Sequence, residues 1–224
     1  LVFLPPDEIF APEHFKQTLF TLRYQDQFEG AYDATQVMNA YYGMVDVPFT
    51  VSQEEFRLAG GARLENKQLS VNAFDKFENI YKPSRSTDTN LLPSVNLTYE
   101  YDEKTDVRLA YYRSVNYPEI REIARVQSSD FKNDWEVVGN DSLEVAHITN
   151  YDLRLEHFPA FGEVLAASVF YKKLDDAIET SLTAQANYLD RVSWFNGNGR
   201  NYGFELEART RLDFLGQAFY DFTF

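Results

Sequence analysis

The sequence predicts an all-β chain, an antiparallel up-and-down transmembrane β-barrel seen as a segment of about eight or nine strands. Three observations carry this. In residues 56–65, Phe56, Leu58, Gly60, Ala62 and Leu64 alternate with Arg57, Ala59, Gly61, Arg63 and Glu65. In residues 202–212, Tyr202, Phe204, Leu206, Ala208, Thr210 and Leu212 alternate with Gly203, Glu205, Glu207, Arg209 and Arg211. Because successive side chains of a strand point to opposite faces, each stretch builds one apolar wall and one charged wall. The third observation is rhythm: joints at residues 49–54, 102–105, 159–162 and 213–216 read as short, and those at 67–90, 115–147 and 174–199 as long. Membrane barrels alternate short periplasmic turns with long extracellular loops in this way, whereas a Greek-key sandwich has no reason to.

Taken in order, residues 1–33 form a lead-in broken by Pro5, Pro6 and Pro12, with residues 18–24 as a possible strand. Strands are expected over residues 35–49 and 55–69, followed by a long polar stretch to Thr89. Val95, Leu97, Tyr99 and Tyr101 then alternate with polar partners, and Val107, Leu109 and Tyr111 do so after a brief turn, which makes a hairpin. The next long joint contains Pro118, after which residues 119–126 suit one or two helical turns. Tyr151, Leu153 and Leu155 mark another strand, residues 164–173 its partner. The third long joint ends in Asn196-Gly197-Asn198-Gly199, a run that favours a turn. A last strand is expected to reach Phe224, where the chain reads as cut from something longer, as it does at Leu1.

Composition bounds the function. The 224 residues include no Cys, which removes disulfides and thiolate metal sites. Tyr and Phe number 15 and 19, a load that suits strands and aromatic girdles. Purely apolar runs are far shorter than the roughly 20 residues of a spanning helix. A mean hydropathy of -0.43 is compatible with a barrel whose strands wet one face. The net charge of -14 argues against a nucleic-acid partner, which needs clustered cations.

Several stretches resemble one family. Leu92-Pro93-Ser94-Val95-Asn96-Leu97-Thr98-Tyr99, Arg108-Leu109-Ala110-Tyr111-Tyr112-Arg113-Ser114 and Pro118-Glu119-Ile120-Arg121-Glu122 are similar to the barrel of TonB-dependent receptors. So, in order, are Gly139-Asn140-Asp141-Ser142-Leu143, Asn150-Tyr151-Asp152-Leu153-Arg154-Leu155-Glu156 and Ser168-Val169-Phe170-Tyr171-Lys172. Asn201-Tyr202-Gly203-Phe204-Glu205-Leu206-Glu207 resembles the family's Gly-x-Glu-x-Glu strand. The resemblance implies residues 1–224 as part of a 22-stranded barrel in the bacterial outer membrane, without its plug domain. It implies as partners the outer-membrane lipid, the plug of the same full-length chain, the TonB complex acting through a region absent here, and a small nutrient such as siderophore iron, a vitamin or an oligosaccharide. No cofactor is implied.

No catalytic set stands out, and the chain reads as a non-enzyme. His14, His147 and His157 lack a His-x-x-x-His pattern, and no Gly-x-Ser-x-Gly elbow occurs. Candidate lumen-facing residues are Arg57, Arg63, Glu65, Arg108, Arg154, Glu156, Glu205, Glu207 and Arg209, against the plainer reading of cross-strand ion pairs that keep a wall wet. Tyr188, Trp194 and Phe195 are candidate ligand contacts in a long loop, or girdle and packing residues. Asp175 and Asp176 suit a hard cation, with solvated loop charge the simpler reading. Two rivals stand beside energised uptake: a passive plug-less barrel, and a soluble β-sandwich that binds carbohydrate.

Overall fold

The computed structural model describes residues 31–75, 79–130, 132–133, 135–185 and 190–211. The expected strands at residues 18–24 and beyond 216, and the joint at 213–216, lie outside them. Seven long strands form a meander: β1 (Tyr32–Val51), β2 (Glu54–Asp75), β3 (Ile80–Asp102), β4 (Thr105–Asn116), β7 (Ala146–His157), β8 (Val164–Thr183) and β9 (Asp190–Arg209). Between β4 and β7 the chain makes one helical turn, α1 (Ile120–Ile123), and the short strands β5 (Gln127–Asp130) and β6 (Trp135–Val138). All belong to one sheet, ordered β1-β2-β3-β4-β7-β8-β9-β6-β5.

The long strands pair antiparallel with their chain neighbours, as the up-and-down reading requires. Their short joints have local causes. Ser52 and Gln53 both hold positive φ, 53° and 75°, the geometry of a two-residue hairpin turn whose twist matches the strands. At the next joint the Asp102 carboxylate accepts the Lys104 N–H at 2.8 Å. Gly162, with φ of 82°, turns the chain before β8.

Two of the three long joints are not loops. β2 runs on to Asp75 and β3 starts at Ile80, so most of residues 67–90 is hairpin; β8 and β9 likewise extend to Thr183 and back from Asp190. On β2 the alternation changes sides there, with Leu69, Val71 and Ala73 buried on the charged face and Gln68, Ser70 and Asn72 on the other, and pairing continues unbroken between β2 and β3 and past one bulge at Leu174/Ala177 between β8 and β9. β4 and β7, at 12 residues each, are close to the roughly 9–11 that a tilted spanning strand needs. β2, β3, β8 and β9, at 20 to 23, overshoot toward one common end.

Residues 117–145 are a true excursion, and α1 confirms the helical turn expected after Pro118. Glu119 and Glu122 cap it reciprocally. Ile120 and Ile123 pack on Leu69, Val71 and Ala73 of β2, together with Ala124 and Val126. The other end of the excursion adds β6 to the edge of β9 in parallel, Val137 opposite Val192. Four strands separate β2 from β9 in the sheet, so the sheet must curl for one segment to reach both. Leu69, Val71 and Ala73 share a β2 face with Arg57, Arg63 and Glu65 by parity, which makes the charged face the concave one.

The opposite face is apolar and uncovered. Val47, Leu58, Leu97, Leu109, Leu153, Val169 and Phe204 are register partners in a single row across seven strands. Leu155 and Leu206, one row away, are 48% and 76% exposed, and among the described residues no second sheet covers them. A sandwich would bury this face about 10 Å from another sheet; the sandwich reading is therefore overturned.

Candidate functional site

All nine candidate lumen-facing residues lie on the concave face. One row runs Arg57, Thr98, Arg108, Arg154, Ser168, Glu205, and the next runs Glu55, Glu100, Asp106, Glu156, Ala166, Glu207. Rows of cations and carboxylates thus stack, and the side chains join diagonally. Arg57 grips Asp46 with two hydrogen bonds of 2.8 and 2.6 Å. Arg63 donates to Glu65 at 2.7 Å.

On β4, β7 and β9 the pairs link into one chain. Arg108 lies 3.4 Å from Asp106 and 3.0 Å from Glu156; Arg154 donates to Glu156 at 2.8 Å and to Glu207 at 2.6 Å; Arg209 stands 3.7 Å from Glu207. The Arg108 contact is ionic and lacks hydrogen-bond alignment, for Glu156 Oε2 has no hydrogen-bond partner. Most of these groups remain partly wet, so solvent screens each pair and none alone contributes much to stability. Glu156 is the buried member, and two guanidiniums beside it offset its lost hydration. Glu205 joins no ion pair among the described residues.

Gly203, which opens the Gly-x-Glu-x-Glu stretch, has a structural reason. A Cβ there would lie 2.8 Å from Phe170 Cζ, because the Phe170 ring of β8 lies over its register partner. The bare backbone is the floor on which that ring rests, and Lys172 Nζ stands 5.4 Å from the ring centroid.

A second polar cluster was not legible in the sequence. Pairing of β3 with β4 ends at Ser94 and Tyr112, next to Pro93, which has no N–H to offer a neighbour. Beyond it the strands part, and side chains take over from the ladder. Asn90 donates to Tyr117 Oη at 3.0 Å, Tyr117 donates to Glu65 at 3.1 Å, and His147 Nε2 lies 3.0 Å from Asn90 Oδ1. Lys67 sits over the Tyr117 ring at 4.3 Å. Burial pushes the Lys67 ammonium down from the usual lysine value, while Asp88, its register partner, pulls the other way. Asn90 fell at the end of a stretch read as a long joint and Lys67 where that joint overlaps the expected strand 55–69, and nothing local to Tyr117 or His147 marks them as partners.

Trp194 and Phe195 lie in β9, not in a loop, and as consecutive strand residues they face opposite ways. They cannot form one stacking platform. Tyr188 lies outside the described residues. Asp175 pairs with Lys173 at 2.8 Å, and Asp176, at positive φ, marks a bulge in β8. Among the described residues no group of three or more carboxylates and imidazoles is placed to hold a metal.

Residues 10–224 match the family model described as TonB dependent receptor-like, beta-barrel. The siderophore receptor PirA of Pseudomonas aeruginosa is similar in fold at 14% identity and TM-score 0.53, with 80% of this chain covering 40% of that one. The hemophore receptor HasR of Serratia marcescens, solved with its hemophore HasA and heme, aligns at 14% and 0.57, with 78% covering 32%. The FrpB iron transporter of Neisseria meningitidis aligns at 15% and 0.52, with 81% covering 24%. The chain therefore spans well under half the length of these structures. Comparison with curated proteins returned no match.

Proposed function

Since the chain belongs to the TonB-dependent receptor β-barrel family, a family of receptors and transporters of the bacterial outer membrane, we propose that it forms part of the wall of an energised uptake receptor. In this reading the uncovered apolar face meets lipid, and the concave face lines the lumen. Arg57, Arg108, Arg154, Glu205 and Glu207 then face a plug domain of the same full-length chain, and the TonB complex acts through that plug. The overshooting hairpins and the excursion rise on the extracellular side, where a small scarce nutrient is caught. The observation that carries the proposal is the division of one curled sheet into a seven-residue apolar row on its outside and stacked rows of charge on its inside.

Two measurements test it. In the full-length receptor, Phe204→Cys and Leu206→Cys are expected to react with a bilayer-confined thiol probe, and Glu205→Cys only with a water-borne one. The reverse pattern removes the membrane reading. Uptake is then measured in cells starved in turn for iron, vitamins and oligosaccharides, with the energising complex present or deleted. Uptake that depends on the complex supports the proposal, and uptake that survives its deletion favours the passive barrel.

A further inference from the structure

Lys67 is only 4% exposed, yet it makes no side-chain hydrogen bond or ion pair among the described residues. Its Nζ stands 4.3 Å from the centroid of the Tyr117 ring, whose face attracts a cation but leaves the ammonium's N–H donors without a lone pair. A lysine ammonium carries only donors, and burying them unmet is costly. Lys67 and Tyr117 both line a cavity of about 50 Å³ between the β2 and β3 wall and the excursion that covers it.

Register builds this cavity. β3 sets Ser84, Ser86 and Asp88 opposite Val71, Leu69 and Lys67 on the concave face, and Tyr117, Ile123 and Leu143 of the excursion and the strand ends close it. Two carboxylates reach its lining, and they differ. Asp141 is engaged, lying 3.6 Å from Arg125. Asp88 is the register partner of Lys67, but the two form no ion pair, and the Asp88 carboxylate accepts no hydrogen bond among the described residues. One cation and one carboxylate therefore flank the same space, each without a hydrogen-bonded partner. Ser86 and Asp141 in the lining are exposed, which gives a solute its way in.

We propose that this cavity binds a small α-amino acid as its zwitterion. Charge selects the ligand class: a bare anion on Lys67 would face Asp88, and a bare cation on Asp88 would face Lys67. A zwitterion answers both groups. Its carboxylate accepts from Lys67 and its ammonium donates to Asp88, both as charge-assisted hydrogen bonds, while the Ser84 and Ser86 hydroxyls supply the remaining polar lining. Volume selects the size. A space of about 50 Å³ takes about four waters, which suits glycine or alanine and excludes an aromatic amino acid. Leu69, Val71 and Ile123 give an alanine methyl an apolar wall.

The test titrates full-length receptor in detergent with glycine, alanine, phenylalanine, acetate and methylammonium, and reads binding by isothermal calorimetry. Glycine and alanine are expected to bind, and the other three to bind at least about tenfold more weakly. Lys67→Gln and Asp88→Asn are each expected to weaken glycine binding about tenfold or more. Arg85→Gln, on the opposite face of β3, is expected to leave it unchanged. If one of the two site variants does not fold, the other carries the test. Absence of glycine and alanine binding overturns the proposal, because the cavity then holds water alone. Acetate that binds as tightly as glycine overturns it in favour of a plain anion site. Glycine that binds both variants like wild type overturns it as well, for the amino acid then sits elsewhere.

Discussion

Arg154 on β7 reaches over β8 to Glu207 on β9, its Nη2 2.6 Å from Glu207 Oε2. The β8 residues beneath this bridge are Ala166 and Ser168, register partners of Glu156 and Arg154. Small side chains on the middle strand leave the passage through which the ion-pair chain crosses two strand gaps.

Ala166→Leu is expected to break that passage. A branched side chain placed between Glu156 and Glu207 separates the pair and crowds a buried position, for a loss of about 1–3 kcal/mol. Ser168→Ala keeps the passage open and should stay within about 0.5 kcal/mol. Urea unfolding of the full-length receptor in lipid measures both. A double-mutant cycle between Arg154→Ala and Glu207→Ala should give a small favourable coupling that salt weakens, and zero coupling would show that the bridge adds nothing.

Asn90 holds the seam that opens beyond Pro93. Asn90→Leu leaves His147 and Tyr117 without this partner in a half-buried site, at an expected cost of about 1–3 kcal/mol. Amide exchange should quicken at the ends of β4 and β7 while the β7 and β8 ladder keeps its protection. Uniform loss of protection would mean that the seam is not a local structure.

Gly139 fixes the excursion. A Cβ there would stand 1.8 Å from the Ala124 carbonyl oxygen, a backbone atom that cannot swing aside. Gly139→Ala is therefore expected to loosen residues 117–145 at a cost of about 1–3 kcal/mol. Limited proteolysis reads this directly: new cleavage within the excursion is expected, with the seven long strands intact.

Glu163 ties the start of β8 to the end of β9, accepting from Thr210 Oγ1 at 2.8 Å and from the Arg211 N–H at 3.1 Å. The backbone bond from Arg211, then the hydroxyl of Thr210, hold its carboxyl below the usual glutamate value. A depressed carboxyl favours the folded state above its ordinary pKa, and that contribution disappears as pH falls through the depressed value. Protection of the Arg211 amide should be lost across that acid window, and Glu163→Gln should flatten the dependence. An unchanged profile in the variant would remove Glu163 as the cause.

Alternation in residues 56–65, 95–111, 151–156 and 202–209 was enough to establish the strand type, the split of faces and the shared wall of Arg57, Arg108, Arg154 and Glu207, because a period of two is a purely local property of extended backbone. The short turns were legible for the same reason. The hairpin extensions over residues 67–90 and 174–199 were not, since in β2 the apolar residues Leu69, Val71 and Ala73 change to the face that is charged lower down, and their partners over residues 80–90 are mostly polar on both faces, so that pairing rather than pattern keeps them extended. Nor could the sequence show that Ile120 and Ile123 would rest on β2 while Val137 joined β9, or that Tyr117 and His147 would meet at Asn90. Those contacts span 27 to 57 residues along the chain, and they exist only because the sheet curls and β4 leaves β3 at a proline that cannot donate a hydrogen bond.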